Sequence, residues 1–579
     1  MTHEVPPVPW TTIPAMMAEI AHRHAAREAV VDGDVRLDFA ALHAEALRFA
    51  AALAGAGIGA GDRVAIWASN DWRWVVAASG VWQVGATVVP LASRWKAAEV
   101  APLLARVGAR LLVVEAESAG EPLLDTLVAH QEADSRRDPA SAQQRSARPG
   151  GLVPGLPRLE RVVVLGGPSG GEGARTLAPG FLDWFAFVAT GDGEPRPTGD
   201  AAAPETIAEI LFTSGTTGQP KGVELAHGQL LAAYWDWSGI GGLEPGDRFL
   251  VIPPYSHGFG MNGGVLACWM RAVANVPVAV FDPTRALEAI DRERISVISG
   301  PPTLFATLLA HPDFDPAKTR SLRTAFVGAA AVPTELIRAM RGRMGIERVI
   351  NAYGLIEVCV VSMTRAADAE RVIATTTGRA MPGVEVRIVA DSDGTGEAAG
   401  PGGARIVDAA EGEPGEVWVR SQGVMRGYLD DPEQTAAAIV EGGWCRTGDV
   451  GVRDAEGHIR VVDRLKDAYN CGGFSAYPAE IESQLLAHPA IAQVAIVGVP
   501  DPRMGEVGHA FVIARDGQSV DEPALVAWAR ERMASYKVPR RVHPVAAFPL
   551  NANGKVRKDA LRRQAIEASA GCAAPRSPE

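Results

Sequence analysis

The segment ILFTSGTTGQPKGVELAH, Ile210 to His227, decides the fold. It starts as an apolar strand and continues into a tight loop of hydroxyl and glycine residues: Thr213, Ser214, Gly215, Thr216, Thr217 and Gly218. Glycines let backbone N–H groups approach an anion, hydroxyls donate hydrogen bonds, and Lys221 adds a positive charge. The loop is not a Walker A motif, because Pro220 precedes this lysine and Gly222 follows it. The segment predicts a triphosphate-binding loop, and a flexible Ser/Thr/Gly turn is the alternative.

Length, composition and net charge indicate the class of protein. The chain has 579 residues, which favours two to four domains. A hydrophobic fraction of 47% and a charged fraction of 21% are typical of a globular protein. The net charge is −12, without a long basic run, which argues against a nucleic-acid partner, since phosphates need clustered Lys and Arg.

The cysteines and the first residues of the chain indicate the cellular compartment. The five cysteines are scattered and form no CxxC pair, so neither a disulfide framework nor a zinc site is expected. The start MTHEVPPVPWTTIP lacks the basic and apolar regions of a signal peptide. The most apolar stretch, Val265 to Val280, is interrupted by Arg271, so no spanning helix is expected. We expect a cytoplasmic protein, with contact to a membrane surface left open and the oligomeric state undetermined.

Alternating helical and strand-like stretches predict an α/β fold with layered sheets and helices. Residues 132–151 have no aromatic residue and no periodicity, and predict a disordered insertion. Residues 391–403 predict a loop. The pattern resets near Asp463, and the following block is long enough for its own domain. We therefore expect a large N-terminal domain over 1–463, a smaller α+β domain over 464–568 and a disordered tail over 569–579.

The phosphate loop resembles the motif of the adenylate-forming superfamily, which includes acyl-CoA synthetases, luciferases and the adenylation domains of peptide synthetases. The resemblance extends over Ile13 to Gln564, because further motifs follow in the family's order. It implies ATP, Mg²⁺ and coenzyme A as reactants or cofactor, and a mobile C-terminal domain.

Two motifs resemble the family's contacts with the acyl substrate and with adenine. PPYSHGFG carries His257, which the resemblance places beside the acyl carboxylate; a lone histidine is otherwise more often structural. FVGAAAVP would wall the adenine pocket, with a simple strand-to-helix turn as the alternative. Its small residues are Gly328, Ala329 and Ala330.

NAYGLIE supplies an aromatic residue and a carboxylate. By resemblance, Tyr353 stacks on adenine and Glu357 holds Mg²⁺, a hard cation that prefers oxygen ligands. The family usually has Thr or Ser where this chain has Ile356, which removes a hydroxyl near the phosphates.

The remaining motifs lie in the C-terminal part. WCRTGD and VDRLKD supply Asp449 and Arg464, which resemble the two ribose contacts, although either alone is more often a surface charge. Lys466 occupies the hinge position of the family. The loop after it carries two glycines that would border the pantetheine tunnel, Gly472 and Gly473.

PLNANGKVRK resembles the family's last motif, whose lysine reaches the reacting carboxylate and the α-phosphate. That residue is Lys555, whereas Arg557 and Lys558 are expected to face solvent.

The resemblance implies a two-step reaction. The acid attacks the α-phosphate of ATP to give an acyl-adenylate and pyrophosphate, and a thiol then takes the acyl group. Negative charge is concentrated in the first step, so Lys221, Glu357 with Mg²⁺, His257 and Lys555 are the expected catalytic residues. Rotation about Lys466 would let one enzyme serve both steps.

Three alternatives belong to other classes. A peptide-synthetase adenylation module is disfavoured, because the segment PYSHGFG offers no acid for a substrate amine and only a short tail follows Lys555, which leaves a stand-alone adenylation enzyme charging a carrier protein as the open form of this alternative. A luciferase needs the same motifs, so sequence discriminates poorly. A non-catalytic nucleotide-binding homologue is disfavoured by the intact catalytic residues and slightly favoured by Ile356.

The acyl substrate is the least determined part. The segments around GMNGGVLACWMRAVANVPVAVFDP and CGGFSAYPAEIE look most like those of ligases for medium-chain, alicyclic or steroid-derived acids. Four residues would form an apolar pocket of moderate size: Trp235, Phe259, Met261 and Cys359.

Overall fold

The structure is a computed structural model that describes residues 5–118, 120, 122–137, 152–166, 180–193, 201–213, 220–328, 332–390, 407–471, 474–550 and 555–572. The chain divides into two compact units. Unit 1 comprises Met1–Glu385 and Val419–Cys445, and unit 2 comprises Val386–Trp418 and Arg446–Glu579. The domain boundary expected between positions 463 and 464 falls within unit 2 and stays a prediction.

The strands, numbered in chain order, are β1 Glu28–Asp32, β2 Val35–Asp38, β3 Arg63–Trp67, β4 Thr87–Leu91, β5 Leu111–Glu115, β6 Arg161–Leu165, β7 Phe181–Asp183, β8 Ile207–Thr213, β9 Lys221–Ala226, β10 Arg248–Val251, β11 Ala274–Pro277, β12 Val297–Gly300, β13 Thr324–Gly328, β14 Arg348–Leu355, β15 Cys359–Met363, β16 Arg379–Ala380, β17 Glu385–Val389, β18 Gly415–Arg420, β19 Gly427–Tyr428, β20 Ile439–Val440, β21 Trp444–Arg453, β22 Ile459–Arg464, β23 Tyr469–Cys471, β24 Phe474–Ala476, β25 Ile491–Asp501, β26 Gly505–Ala514 and β27 Arg541–Pro544.

The α-helices are Ile13–Arg23, Phe39–Gly55, Trp72–Gln83, Ala97–Val107, Leu123–Arg137, Trp184–Ala189, His227–Ile240, Gly258–Gly260, Ala267–Arg271, Pro283–Arg292, Pro302–Ala310, Thr334–Met344, Glu370–Thr375, Pro432–Ala438, Pro478–Leu485, Glu522–Arg530 and Lys558–Cys572. Met261–Leu266 forms a π-helix. Short 3-10 turns occur at Ile356–Val358, Glu441–Gly443 and Leu465–Asp467.

Two large sheets form unit 1. One has eight strands in the order β19-β9-β8-β4-β3-β5-β6-β7, and the other has nine in the order β16-β15-β14-β13-β12-β10-β11-β1-β2. The strands β3, β4 and β5 pair in parallel and are apolar and buried except at one terminal residue each, as expected for strands covered on both faces. The helices Phe39–Gly55 and Trp72–Gln83 pack on each other in the core between these layers. This arrangement confirms the α/β fold.

Local sequence explains the helix boundaries in this layer. The helix Phe39–Gly55 starts after Asp38, whose carboxylate accepts from the Ala41 N–H at 2.7 Å. Asp71 caps the helix Trp72–Gln83 in the same way, accepting from the Trp74 N–H at 2.8 Å. Such caps satisfy N–H groups that have no partner inside the helix.

Unit 2 contains a sheet of order β24-β23-β26-β25, with β27 paired in parallel to β26. The helices Pro478–Leu485 and Lys558–Cys572 pack against β25. Most of a smaller sheet, of order β17-β18-β21-β20 with β22 on β21, also belongs to this unit. The α+β character expected of the C-terminal part is therefore present.

The segments predicted to be irregular are partly helical. The helix Leu123–Arg137 runs into the expected insertion, and residues 138–151 lie outside the described residues. The expected loop 391–403 also lies outside them. The last helix ends at Cys572, inside the expected tail. Across the described part of the chain, no helix is long and apolar enough to cross a membrane.

Candidate active site

The predicted phosphate loop connects two paired strands. Antiparallel pairing of β8 with β9 sets Thr213 opposite Lys221, at the two ends of the loop. Residues 214–219 lie outside the described residues, and they include the predicted Ser214, Gly215, Thr216, Thr217 and Gly218. The pairing of β8 with β9 therefore fixes the position of Lys221 at the end of the loop.

A chain of contacts joins this lysine to the predicted metal ligand. Lys221 Nζ donates to Gln434 Oε1 at 2.7 Å and lies 4.6 Å from the centre of the Tyr428 ring. The Tyr428 hydroxyl donates to Glu357 Oε1 at 3.2 Å. Burial first, and then the Glu357 charge, raise the pKa of Tyr428, so its hydroxyl stays protonated and remains a donor. The structure thus brings Lys221 and Glu357 to the same place.

Neither Tyr428 nor Gln434 was predicted from the sequence as a site residue. The short strand β19 pairs with β9 and sets Tyr428 opposite Val223, next to the loop. Asp431 accepts from the Gln434 N–H at 3.0 Å and begins the helix that carries this amide. The Asp-Pro pair at this point is a sequence signal for a helix start, but nothing in it indicates the contact with Lys221.

The predicted adenine wall lies on neighbouring strands. Parallel pairing of β13 with β14 sets Gly328 opposite Ala352, the residue before Tyr353. A Cβ at Gly328 would lie 3.4 Å from the Ala352 carbonyl oxygen, so a larger side chain would crowd this edge. Tyr353 is half-buried. Ala329 and Ala330 lie outside the described residues.

A 3-10 turn at the end of β14 presents Glu357. Ile356, in the same turn, packs against the main core of unit 1. The turn ends at Cys359, a buried non-glycine residue with φ of 56°. Left-handed backbone is costly for such a residue, and strain of this kind clusters at functional sites.

His257 begins a single helical turn, Gly258–Gly260, that runs into the π-helix. Its Nδ1 accepts from the Phe259 N–H at 3.2 Å. The neutral ring consistent with this bond carries its proton on Nε2, which can donate to a carboxylate. The imidazole is exposed, so a ligand can reach it.

Aromatic side chains pack on the segment that follows His257. Phe259 meets Trp237 edge to face at 6.0 Å, and Trp237 stacks on Phe326 at 4.0 Å. The predicted pocket residue Trp235 instead donates from Nε1 to the Pro6 carbonyl at 2.6 Å. Two residues along a helix rotate a side chain by about 200°, so Trp235 and Trp237 point to different sides, and the place of Trp235 in an acyl pocket stays a prediction.

Unit 2 holds a second group of predicted residues. Asp449 and Arg464 are opposite each other on β21 and β22, and Arg464 Nε lies 2.7 Å from Asp449 Oδ1. The Asp449 side chain is only 3% exposed, whereas that of Arg464 is 45% exposed. The Asp449 N–H donates to Thr447 Oγ1 at 3.1 Å, which fixes the backbone before the carboxylate. Lys466 follows directly, in the turn Leu465–Asp467.

Lys555 belongs to this second group. Partial loss of hydration first, then the positive charge of Arg464, lower the pKa of Lys555; Asp449 opposes the shift and Lys466 adds to it. The flanking residues Leu550 and Val556 form a β-bridge that closes the loop before it. The predicted glycines Gly472 and Gly473 lie outside the described residues, between the paired strands β23 and β24.

The expectation that both Arg557 and Lys558 face solvent holds only for the arginine. Lys558 Nζ lies 2.8 Å from Glu482 Oε1, with 23% of its side chain exposed. Burial lowers the pKa of Lys558, but Glu482 and Asp463 outweigh that effect and leave the pKa raised. Its charge therefore anchors the end of the motif to the helix Pro478–Leu485.

Comparisons with known proteins agree with this arrangement. The family model for AMP-binding enzymes matches residues 17–429, and that for the AMP-binding enzyme C-terminal domain matches residues 480–555. A 3-[(3aS,4S,7aS)-7a-methyl-1,5-dioxo-octahydro-1H-inden-4-yl]propanoyl:CoA ligase of Rhodococcus jostii is 39% identical over 558 residues, covering 96% of this chain and 99% of the relative.

Two further relatives are more distant. A mitochondrial medium-chain acyl-CoA ligase of Macaca fascicularis is 30% identical over 567 residues, covering 96% of this chain and 87% of the relative. The crystal structure of an anthranilate CoA ligase in complex with anthranoyl-AMP superposes with a TM-score of 0.80 at 25% identity, covering 97% of this chain and 99% of that one. The chain belongs to the AMP-binding enzyme family, in its acyl-CoA ligase branch.

Proposed function

We propose that this acyl-CoA ligase activates a compact alicyclic or steroid-derived carboxylic acid, with medium-chain acids as poorer substrates. The observation that carries the assignment of the ATP site is the contact chain from Lys221 through Tyr428 to Glu357 at the base of the phosphate loop. The preference for a ring-bearing acid is supported by the relative from Rhodococcus jostii, whose name specifies such an acid.

The first half-reaction joins two anions. A carboxylate oxygen attacks the α-phosphorus of ATP, the bond to the β-phosphate breaks, and pyrophosphate leaves. We assign Lys221 to the phosphates and Lys555 to the carboxylate and α-phosphate, because positive charge offsets the repulsion between the reactants. His257 would donate from Nε2 to the acid and hold it in line.

Glu357 fits the requirements of a magnesium ligand. Its Oε1 accepts from Tyr428, and its Oε2 takes no hydrogen bond within the described part of the chain. Mg²⁺ in nucleotide sites is held by one or two carboxylates together with the phosphates. Bound there, the ion would supply charge neutralisation on the triphosphate, while Tyr428 keeps the carboxylate oriented.

The nucleoside would be held by groups from several strands. Tyr353 offers a ring face for adenine and Gly328 leaves room beside it. Asp449 would accept from the ribose hydroxyls, and its ion pair with Arg464 holds that carboxylate in place.

The second half-reaction uses the thiol of coenzyme A. The sulfur attacks the acyl carbon, the bond to the adenylate oxygen breaks, and AMP leaves. We assign the border of the pantetheine path to Gly472 and Gly473, and the pivot between the two half-reactions to Lys466. We also infer a reducing cytoplasm, which is supported by the cysteines with described side chains being buried thiols rather than disulfides.

A pyrophosphate-release screen tests the substrate class. The panel contains a bicyclic propanoic acid, cyclohexanecarboxylic acid, octanoic acid and palmitic acid, each with ATP, Mg²⁺ and coenzyme A. We expect the highest kcat/KM for the bicyclic acid, a lower value for octanoic acid and the lowest for palmitic acid. Glu357→Gln is the inactive control. Palmitic acid as the best substrate, or no release with any acid, contradicts the proposal.

A further inference from the structure

A carboxyl group lies inside the main core of unit 1. Glu209, on β8 just before the phosphate loop, has no exposed surface. Burial raises the pKa of Glu209 to about 8, and the amide of Asn262 opposes this shift. The group is therefore protonated at neutral pH and acts as a hydrogen-bond donor as well as an acceptor.

Two polar atoms of this region have no partner. Asn262 Nδ2 donates to Glu209 Oε1 at 2.8 Å, which uses one atom of each side chain. Glu209 Oε2 and Asn262 Oδ1 are buried and make no hydrogen bond within the described residues. An unsatisfied buried polar atom costs about 1–3 kcal/mol, so two of them on hydrogen-bonded side chains favour a site that pairs with a polar group.

Room for one methyl-sized group adjoins these atoms. A Cβ at Gly258 would lie 3.8 Å from the Tyr234 hydroxyl and 3.9 Å from Asn262 Nδ2, which are ordinary contact distances. A methyl-sized group therefore fits between Gly258 and the buried polar cluster, by which we mean Glu209, Asn262 and Tyr234. Because Gly258 is bonded to His257, this space lies directly beside the residue assigned to the substrate carboxylate.

The backbone that carries Asn262 is unusual. Asn262 lies in the π-helix Met261–Leu266, all of whose residues are buried. A Cβ at Gly264 would lie 2.6 Å from Val251 Cγ1, so this helix packs closely on β10. Single π-helical turns are rare and often occur at functional sites. The amide is thus held in place by packing rather than by a flexible loop.

We propose that the buried polar cluster recognises an oxygen atom on the hydrocarbon part of the acyl substrate. The inference rests on the proposed function, because it takes the substrate carboxylate to lie beside His257. A ring carbonyl would accept from the protonated Glu209 Oε2 or from the Tyr234 hydroxyl. A ring hydroxyl would instead donate to Asn262 Oδ1. The ligand class is therefore an alicyclic acid with a carbonyl or hydroxyl group remote from its carboxylate.

The test compares a matched pair of acids, a bicyclic propanoic acid with a ring ketone and its deoxy analogue. For the wild-type enzyme, we expect kcat/KM for the keto acid to exceed that for the deoxy acid at least tenfold, because a buried polar group left unpaired penalises the analogue. Equal values for the two acids would overturn the inference and leave the proposed function intact. Absence of pyrophosphate release with both acids would overturn the proposed substrate class as well.

Variants identify the residues responsible for the preference. Glu209→Leu removes the donor and should bring the ratio of the two kcat/KM values towards one, whereas Glu209→Gln keeps an N–H donor and should retain most of the preference. Tyr234→Phe removes only a hydroxyl and provides a second test if the leucine variant does not fold. Glu205→Gln, an exposed position on the same segment, should leave both values unchanged. A ratio that stays at its wild-type value in the leucine and phenylalanine variants would overturn the assignment.

Discussion

Replacing Glu209 by glutamine should remove a pH dependence of stability that the buried carboxyl group imposes. Burial raises the pKa of Glu209 from its ordinary value of 4.5 to about 8 in the folded protein. The folded state therefore binds this proton more tightly than the unfolded state does. The resulting stabilisation is complete below pH 4.5 and is lost progressively as the pH rises to about 8. Glutamine has the same shape but carries no titratable proton.

The change in the free energy of unfolding follows from the difference between the unfolded and folded pKa values of Glu209. One pH unit between the unfolded and folded pKa values changes the free energy of unfolding by up to about 1.4 kcal/mol. Across the whole window the change is about 5 kcal/mol, because the side chain is fully buried and water screens little of it. The titratable neighbours Tyr234 and Cys359 have pKa values raised by burial and stay neutral over this range. Asp236 also has its pKa raised by burial, to about 6, so it is the difference in slope between the wild type and Glu209→Gln that belongs to Glu209.

Urea unfolding followed by tryptophan fluorescence is a suitable assay. All tryptophans except Trp418 and Trp528 lie in unit 1, so the signal reports on the unit that contains Glu209. The free energy of unfolding should be measured from pH 5.5 to pH 8.5 for the wild type, Glu209→Gln and Glu205→Gln. The stability of Glu209→Gln relative to the wild type should increase steadily with pH, and that of the exposed Glu205→Gln should not.

A constant difference between Glu209→Gln and the wild type over this range would refute the reasoning. It would mean that Glu209 is ionised in the folded protein, or that its pKa is not raised. A difference that grows towards acidic pH would have the wrong sign and would refute it equally.

Three further predictions concern other residues. Lys555→Ala should reduce acid-dependent pyrophosphate exchange by about 10²-fold or more and spare thioester formation from presynthesised acyl-adenylate. Gly473→Leu should spare the exchange and reduce thioester formation. Equal loss of both half-reactions in both variants would contradict the division of roles. Ile356→Thr restores a hydroxyl near the phosphates, worth roughly 1.5–3 kcal/mol, and should leave adenylation unchanged or faster; a large loss of rate would mean that the site has repacked around isoleucine. Burial lowers the pKa of His227 from 6.5 to about 4, so its contribution to stability is present above pH 6.5 and lost as the pH falls towards 4; His227→Gln should flatten that acid limb in the same urea assay, and an unchanged limb would refute the assignment.

The layered fold could be predicted from local pattern because each element carries its own signals. The helical spacing and terminal glycines over Asp38 to Ile58 match the observed helix Phe39–Gly55, and Asp38 is its cap. The short apolar runs of β3 and β4 match buried parallel strands. These features depend on residues a few positions apart, which a single sequence displays directly.

The parts of the site that sequence reasoning missed depend on long-range contacts. Tyr428 reaches Glu357 across 71 residues, and Gln434 reaches Lys221 across 213, so no local pattern records either pair. The prediction of Trp235 as a pocket residue did not single out Trp237, two helical positions further on, whose ring meets Phe259. Such contacts become visible only when the strands are assembled.

Two ionisable residues, Glu209 and Lys558, show what a sequence can still indicate. Glu209 stands inside the apolar strand IAEILFT, and an acid within an apolar run is itself a signal of a functional or strained position. Lys558 lies in a run of basic residues that is typical of a solvated surface, yet it pairs with Glu482. The spacing of charges alone does not distinguish a solvated lysine from a buried ion pair.

The most direct test of the central claim is the product balance of one complete reaction. The purified chain is incubated with ATP, Mg²⁺, coenzyme A and a bicyclic propanoic acid, and AMP, pyrophosphate and acyl-CoA are quantified by mass spectrometry and enzymatic coupling. We expect the three products in equal amounts, with acyl-adenylate accumulating on the enzyme when coenzyme A is omitted. Formation of ADP and phosphate, or of acyl-adenylate that passes only to a carrier protein and never to coenzyme A, would contradict it.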